Sequence, residues 1–264
     1  MSSFTLDKDI FNPTLYKKIL DVWFEGHELG AKEINMDVVK RWFMGSPEEK
    51  LVFDGVCREH FGHALEAIGP ELFPNPNAEP FVREIQETAQ RDTKGDGSDT
   101  AWAALSIVLL LDQVPRNLFR TNEGLAKVYT HYDKISQSLV KTMLSPDAPI
   151  GRPDLHPQWR FSFPYRMWFY LPLLHSEDID AHDMLDEIYA RLGEDMGREE
   201  GHEAEKVFLA QSIKAEKEHR HILDKFGRYP HRNYALGREP TLEEKKYLEE
   251  GGNTFGVAQE KRGS

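Results

Sequence analysis

The chain has 264 residues, of which 39 % are apolar and 11 % aromatic, and its formal net charge is −12. This length fits one large domain or two small ones, and the apolar fraction excludes a globally disordered protein. The acidic balance disfavours non-specific binding to nucleic acid or to an anionic membrane. A local basic patch can still bind phosphate, because salt confines such effects to about 10 Å.

Cysteine usage and the first residues indicate the cellular compartment of the protein. Cys57 is the single cysteine and has no partner for an internal disulfide, which is typical of a reducing compartment. The first residues show no basic and apolar pattern of a secretory signal. No apolar run approaches the roughly 20 residues of a membrane span. We therefore expect a cytoplasmic protein without a membrane partner.

The first helices are predicted from their capping residues. Residues 1–12 are expected to form a flexible entry segment. Pro13 suits the first turn of a helix that Asn12 caps. Ser46 and Glu49 have the spacing of a capping box, in which each side chain bonds the other residue's backbone N–H. Both patterns predict helices in the first quarter of the chain.

Later stretches carry further helical patterns. Residues 100–111 are apolar on nearly all sides, which predicts a buried central helix. Residues 164–174 are rich in aromatic side chains, and an internal proline should kink or break their helix. Residues 203–225 are amphipathic over a long helix. Thr241 begins a second capping box, and residues 251–264 are expected to form a mobile tail.

The fold class follows from the near absence of strand signals. Almost no segment alternates with a period of two, so we expect an all-α chain. No linker divides the chain, and residues 13–250 are predicted to form one domain. Consecutive helices of similar length suggest antiparallel helical hairpins arranged as a superhelix, although no motif repeats at a fixed period.

A first polar segment, LLLDQVPRNLFR, follows the predicted central helix. Pro115 is expected to break that helix and leave Asp112 on its last turn. One interpretation is structural: Asp112 and Arg116, four residues apart, simply form an ion pair. The other is that Asp112 lines a cavity and binds a guanidinium or an amine. In that case the substrate-binding set from this segment is Asp112, Arg116, Asn117 and Arg120.

A second segment, FYLPLLHSED, ends at Asp178. Asp178 could cap the next helix, which is a structural role, or bind substrate. An imidazole beside carboxylates also suits general base catalysis, so His175 and Glu177 are candidate catalytic residues. Tyr170 belongs to an aromatic run expected to lie mainly in the core, and it is a candidate wall of a substrate pocket. No paired-histidine spacing indicates a metal site, and none is predicted.

The third segment, KEHRHILDKFGRYPHRNYALGREPT, is the most cationic. A glycine and a proline bend it, so its side chains can converge. They could form a structural network with the carboxylates of the other two segments. Alternatively they bind an anion, because arginine recognises phosphate through a planar fork. We assign His231 a catalytic role and expect the following residues to bind tRNA or another anion: Lys217, His219, Arg220, Lys225, Arg228, Arg232, Asn233 and Arg238.

Absent motifs narrow the function. The chain has no phosphate-binding P-loop, no dinucleotide-binding glycine motif in a strand–helix context, no nucleophile elbow and no CxxC pair. Nucleotide hydrolases, dehydrogenases and α/β-hydrolases are therefore disfavoured, and no cofactor is expected.

Together the three segments resemble the motifs of a family of TPR-like helical proteins of unknown function found in bacteria and fungi. The family pattern is LLLDQ-x-PRN-x-FR, FxYLPLxHSED and FGRFPHRN-x-x-LGR-x-ST. This chain departs from it at Tyr229, where phenylalanine is usual, and at Glu239 and Pro240, where a serine is usual. The resemblance implies a TPR-like fold. It also implies that a fungal branch comprises arginine-containing cyclodipeptide synthases, which use aminoacyl-tRNAs.

The resulting hypothesis is an enzyme that forms an arginine-containing cyclic dipeptide by aminolysis of aminoacyl esters. His175 or His231 would supply the base, and Asp112, Glu177 or Asp178 would bind the arginyl side chain. The partners would be arginyl-tRNA and a second charged tRNA, and no ATP is needed because the ester is already activated. The alternative is a non-catalytic helical protein that binds an acidic peptide or a small anion. Both predict that the three segments meet in one cavity.

Overall fold

The computed structural model describes residues 4–31, 33–198 and 200–257. Within these ranges the chain forms helices and turns and contains no β-strand, so the predicted all-α class and the single domain are confirmed. The TPR-like superhelical arrangement stays a prediction. No helix in the described ranges is both long enough and apolar enough to cross a bilayer.

Thirteen stretches of α-helix are present in the described ranges. Several are joined directly by short π or 3₁₀ turns, so that neighbouring stretches continue one another. In chain order they are α1 (Pro13–Trp23), α2 (Met36–Val39), α3 (Pro47–Ala67), α4 (Glu79–Arg91), α5 (Ser98–Val108), α6 (Val114–Leu118), α7 (Asn122–Lys127), α8 (Asp133–Leu144), α9 (Phe163–Arg166), α10 (Leu171–Leu174), α11 (Ile179–Gly197), α12 (Glu203–Phe226) and α13 (Leu242–Glu249).

The predicted caps are confirmed. The Asn12 side chain accepts hydrogen bonds from the first backbone N–H groups of α1. Ser46 and Glu49 form a complete capping box at the start of α3. Thr241 and Glu244 form the same box at the start of α13. These local bonds satisfy N–H groups that have no partner inside the helix, which is why sequence locates them well.

The central helix runs through the core without the predicted break at Pro115. Helix α5 continues through a π turn at Leu109–Gln113 directly into α6, and Pro115 lies in the first turn of α6. The expectation that proline ends the helix was wrong. The Val114 N–H bonds the Leu109 carbonyl, five residues back, and this π turn lets the helix continue past a residue that has no N–H. The consequence is that Asp112 lies inside a π turn, a feature that is frequent at functional sites.

The aromatic segment before His175 is broken as predicted. It consists of α9, a 3₁₀ turn at Met167–Phe169 and α10, with Pro172 in the first turn of α10. Nearly every side chain of this segment is buried. Helix α10 packs against α8 and α11, so the break carries His175 to the junction of these helices.

Both ends of the domain touch its body. Leu6 and Phe11 are buried in the main core, although the sequence placed them in a flexible entry segment. At the other end the Phe255 ring stacks on the His219 ring, with the ring centroids 3.8 Å apart. The domain boundaries at residues 12 and 251 stay predictions, and residues 258–264 lie outside the described residues.

Candidate functional site

An aspartate–histidine pair joins the first two polar segments. The Asp112 Oδ1 atom lies 3.0 Å from His175 Nδ1, and Asp112 is 1 % exposed. Gln113 and Arg116 donate further hydrogen bonds to the Asp112 carboxylate, at 2.6 and 3.3 Å. Burial opposes ionisation of Asp112, but the His175 ring and the Arg116 guanidinium outweigh it and hold its pKa below the usual range. Both carboxylate oxygens of Asp112 therefore already accept hydrogen bonds from other side chains.

The protonation of His175 follows from this contact. Burial and the neighbouring Arg116 lower the pKa of His175, and Asp112 only partly opposes them. The imidazole is therefore neutral near pH 7. Because Asp112 is ionised, His175 Nδ1 must carry the proton and donate it to the carboxylate. The other ring nitrogen, Nε2, then holds a lone pair and is the basic atom of the pair.

A second carboxylate, Asp133 at the start of α8, lies buried between two guanidinium groups. Arg116 donates to Asp133 Oδ1 at 2.7 Å, and the nearest Arg232 nitrogen lies 3.9 Å from Oδ2. Arg232 also donates to the His175 carbonyl at 2.8 Å. Its guanidinium lies between the rings of Tyr129 and Tyr229, 4.5 and 4.7 Å from their centroids. Arg232 thus connects the third polar segment to the other two.

Glu177 holds the third segment in place from outside this cluster. Its carboxylate accepts two hydrogen bonds from Arg238, at 2.9 and 2.7 Å, and one from the Tyr229 backbone N–H at 2.9 Å. Burial opposes ionisation, but these bonds lower the pKa of Glu177. A carboxylate with a bidentate arginine and a backbone donor is fully engaged. This geometry favours a structural role rather than the predicted catalytic one.

A buried histidine–glutamate pair lies beneath the same turn. His182 Nδ1 is 2.8 Å from Glu216 Oε1, and His182 Nε2 is 2.9 Å from the Ser176 carbonyl oxygen. Burial works against protonation, yet the bonds to Glu216 and Ser176 raise the pKa of His182. Since both ring nitrogens face acceptors, the protonated form of His182 is favoured, and the ring joins α11 and α12 to the turn that contains Ser176.

The three segments meet at one cavity of about 1140 Å³, as predicted. Apolar side chains from α10 and α12, such as Leu174 and Phe208, line much of its wall. Met36, Phe43 and Val207 line it as well and are largely exposed, so they mark its opening. Eight polar or charged side chains of the three segments line it: Gln113, Arg116, Arg120, His175, His219, Tyr229, His231 and Arg232.

The positive charge at the cavity comes from its arginines. Burial lowers the pKa of both His219 and His231 to about 3, so these rings are neutral. The Nε atoms of Arg116 and Arg232 are buried, and neither finds a hydrogen-bond partner among the described residues. Both arginines line the cavity. The cavity therefore offers guanidinium donors beside the neutral base of His175.

Several predicted substrate-binding residues are held by other groups of the protein or lie outside the cavity. Arg120 lines the cavity but is bound bidentately by Asp54 at 2.5 and 2.7 Å. Asn117 donates to the Gln113 carbonyl. Asp178 caps α11 and pairs with Lys141 at the surface, which is its structural interpretation. The Tyr170 ring is fully buried, and its hydroxyl contacts Arg166 and Asp154 instead of a cavity.

Most of the predicted cationic surface is ion-paired. Arg228 donates two hydrogen bonds to Glu244, at 2.7 and 2.8 Å. Arg220 pairs with two aspartates of α11, and Lys225 lies 3.4 Å from Glu243. Lys217 is exposed on α12. This surface binds the protein's own carboxylates, which leaves little basic surface for RNA.

The remaining predicted residue, Asn233, is buried beside the turn. Its side chain contributes to lowering the pKa of Glu244 to about 2, after the larger effect of Arg228. Among the described residues, no cluster of three or more histidine, cysteine or acidic side chains is arranged to hold a metal ion.

Sequence reasoning missed four residues that build the site. Asp133, His182, Glu216 and Tyr129 all lie outside the three polar segments. His182 and Glu216 sit on the apolar faces of amphipathic helices and are completely buried. Ionisable residues are almost never fully buried unless they are paired. An ionisable residue on the apolar face of a predicted helix was the sequence signal that could have identified His182 and Glu216.

The chain is similar to proteins whose function is described as unknown. A family model described as "Bacterial protein of unknown function (DUF924)" matches residues 19–252. A solved structure of a protein of unknown function, ATU0120 from Agrobacterium tumefaciens, is 27 % identical with a TM-score of 0.55. The match covers 90 % of this chain and 98 % of that one. No protein with a curated description matches the chain.

Proposed function

Since the chain belongs to the DUF924 family of bacterial proteins of unknown function, we propose its function from the cavity itself: an acyl-transfer site with His175 as its general base. The observation that carries this proposal is the Asp112–His175 pair at the cavity wall. Asp112 fixes the ring so that the lone pair of Nε2 is available. This is the orienting role that a buried carboxylate plays beside a catalytic histidine.

The acyl donor in this proposal is an aminoacyl-tRNA, and the product is an arginine-containing cyclic dipeptide. This part rests on the motif resemblance. In the first step the amine of one aminoacyl group attacks the ester carbonyl of the other, His175 takes the amine proton, and a tRNA hydroxyl leaves and receives that proton. In the second step the free amine of the dipeptidyl ester attacks the ester carbonyl that is joined to the second tRNA. The ester bond breaks, His175 takes the amine proton and passes it to the leaving tRNA hydroxyl, and the ring closes.

The arginines of the cavity have a role in this chemistry. The guanidinium groups of Arg116 and Arg232, which line the cavity, can stabilise the oxyanion that forms as the amine attacks. The arginyl side chain cannot use Asp112 or Glu177, because both carboxylates are occupied. The carboxylates among the described cavity-lining residues are Glu33 and Glu203, which lie outside the three segments. These two are the candidates for guanidinium binding.

A second candidate function is favoured by the same charge distribution. Two guanidinium groups and an apolar wall suit a small organic anion with an apolar body, bound without chemistry. Arginine binds carboxylate or phosphate through paired N–H groups. In this alternative His175 only orients the ligand, and removing its base would leave the ligand's affinity nearly unchanged.

One variant separates the two functions. His175→Asn keeps a donor near the position of Nδ1 and removes Nε2, so the contact with Asp112 can persist. Incubation with arginyl-tRNA and a second charged tRNA should yield a cyclic dipeptide by mass spectrometry. We expect the variant to lose about 10²–10⁴-fold in rate, the usual contribution of a general base. His221→Asn on the exposed face of α12 is the matched control.

The synthase and the anion-binding protein predict different results in this experiment. A cyclic product from the wild type that His175→Asn loses and His221→Asn keeps supports the synthase. No product from any charged tRNA pair, together with saturable binding of 3-phenylpropionate that Arg232→Met abolishes, favours the anion-binding alternative. Product formation at the wild-type rate by His175→Asn would remove His175 from the chemistry.

A further inference from the structure

A short segment after α13, residues 251–257, folds back onto the cavity at which the three polar segments meet, and we call it the strap. Phe255 and the two residues that follow it line that cavity. Each residue of the strap is partly or fully exposed. The rings that Phe255 contacts are buried, and they belong to His219, Tyr229 and His231. The strap is therefore a thin cover over a buried part of the cavity wall.

Phe255 connects the strap to this wall through ring contacts. Its ring stacks on that of His219, with the centroids 3.8 Å apart, and meets the rings of His231 and Tyr229 edge-on at 5.4 and 6.0 Å. The Phe255 backbone has a φ of 51°, which bulky side chains rarely adopt. Such strain persists only where the surrounding contacts hold it. Release of the ring from the wall would therefore also relieve the backbone.

The other side of the strap is anchored to Tyr247 of α13. The Tyr247 hydroxyl accepts a hydrogen bond from the Asn253 N–H at 2.9 Å, and its carbonyl accepts one from the Gly252 N–H at 2.8 Å. The Tyr247 ring lies so close that a Cβ on Gly252 would be 2.5 Å from two ring atoms. Gly251 and Gly256, near the two ends of the strap, have φ values of 84° and 80°, which glycine adopts without steric cost. The strap thus combines a fixed anchor with two points at which the backbone can rotate.

We propose that the strap is a lid over the polar end of the cavity, the end lined by His219, His231 and Arg232. It opens to admit a ligand and closes with Phe255 against His219, as lids that pivot on a few residues do. Arg232 packs against the Tyr229 ring that Phe255 contacts, so the lid lies beside the guanidinium that would receive a charged group. The other opening of the cavity is lined by exposed apolar side chains, and a charged group that passed them would lose hydration. This inference rests on the proposed function only in that the cavity takes a ligand.

The test measures how fast diethyl pyrocarbonate acylates individual histidines, which peptide mass spectrometry resolves. This small reagent attacks the unprotonated nitrogen of a neutral imidazole. His219 is suited to it, because burial lowers its pKa to about 3 and its Nδ1 donates to the Ala215 carbonyl at 2.8 Å, which leaves the lone pair on Nε2. Two histidines serve as internal references. His221 is exposed on the same helix, and His131 is buried, has a pKa lowered by burial and does not line the cavity.

Two variants open the strap in different ways. Phe255→Gly removes the ring contacts and relieves the backbone, so His219 should react about tenfold faster, as expected for the loss of an aromatic contact. Gly252→Ala leaves Phe255 intact but forces a methyl group against the anchoring ring, and it should also raise the His219 rate because the strap moves as a unit. Phe161→Gly is the matched control, because it removes a similar ring stack on His202, with centroids 4.3 Å apart. This control should leave the His219 rate unchanged.

In the wild type we expect His219 to react about tenfold more slowly than His221, because the reagent must wait for the strap to open. Equal rates for these two histidines, or an unchanged His219 rate in Phe255→Gly, would overturn the proposal. A faster rate in Phe255→Gly but not in Gly252→Ala would make the ring a fixed wall, and a rise shared by His131 would mean general loosening of the fold; each would also overturn it. The labelling involves neither tRNA nor product, so it can fail while the synthase assay succeeds, and the reverse.

Discussion

The substitution Glu177→Gln tests whether the HSED turn is part of the scaffold or of the chemistry. The catalytic role that the sequence suggested for Glu177 implies that this change abolishes cyclic dipeptide formation. In the structure Glu177 instead receives two hydrogen bonds from Arg238 and one from Tyr229 N–H. Glu177 also does not line the cavity at which the three polar segments meet. We now expect the variant to lose stability and to keep turnover within a few-fold of the wild type.

The size of the stability loss follows from these contacts. Hydrogen bonds to a charged group contribute about 1.5–3 kcal/mol each in a buried setting. The Arg238 side chain is 31 % exposed, so solvent screening reduces the ion-pair part. Glutamine retains one acceptor for the Tyr229 N–H. We therefore expect a loss of about 2 kcal/mol, which corresponds to a fall in Tm of about 4–8 °C for a domain of this size.

A double-mutant cycle with Arg238→Gln isolates the ion pair. Urea unfolding of the wild type, both single variants and the double variant should give a coupling energy of about 1–2 kcal/mol between Glu177 and Arg238. The cycle also has a pH signature. Because the folded-state pKa of Glu177 is lowered from 4.5, its stabilisation is fully present above pH 4.5. It is lost as pH falls through the lower folded value.

Turnover and thermal midpoint together separate a catalytic from a structural role of Glu177. Loss of turnover at an unchanged midpoint, with no coupling to Arg238, would return Glu177 to the catalytic set. A lowered midpoint with near-normal turnover would establish the turn as scaffold and leave the chemistry to His175.

Two further results are expected. His182→Gln should destabilise the protein most below pH 6.5. The folded-state pKa of His182 is raised above its ordinary 6.5, so its stabilisation is lost as pH rises through that raised value. An equal loss of unfolding free energy in urea at pH 6 and pH 9 would mean that the pair with Glu216 is not ionic. Arg228→Ala should lower Tm without changing the salt dependence of tRNA binding, because Glu244 already binds its guanidinium. If the slope of log binding constant against log salt concentration became flatter by about 1, Arg228 would instead contact a phosphate.

The sequence by itself determined the helices and the place of the site. Capping boxes at Ser46 and Thr241 and the periodicity of the long amphipathic helix involve residues a few positions apart, so local chemistry is enough to locate them. The three polar segments were also visible, because charged residues beside glycine or proline exceed what a turn needs. Pro115 was misread, since the π turn before it has no signal in residue type.

Only the tertiary structure decided which charged residues are free to act. Arg238 lies 61 positions from Glu177, and Arg120 lies 66 positions from Asp54. Such pairings depend on how the helices pack, and a single sequence does not encode them as a local pattern. Burial and hydrogen-bond partners then shift the pKa of each histidine: that of His175 is lowered because the ring is desolvated beside Arg116, whereas that of His182 is raised because both its nitrogens face acceptors. The pKa values of two histidines seven positions apart thus shift in opposite directions, for reasons that exist only in three dimensions.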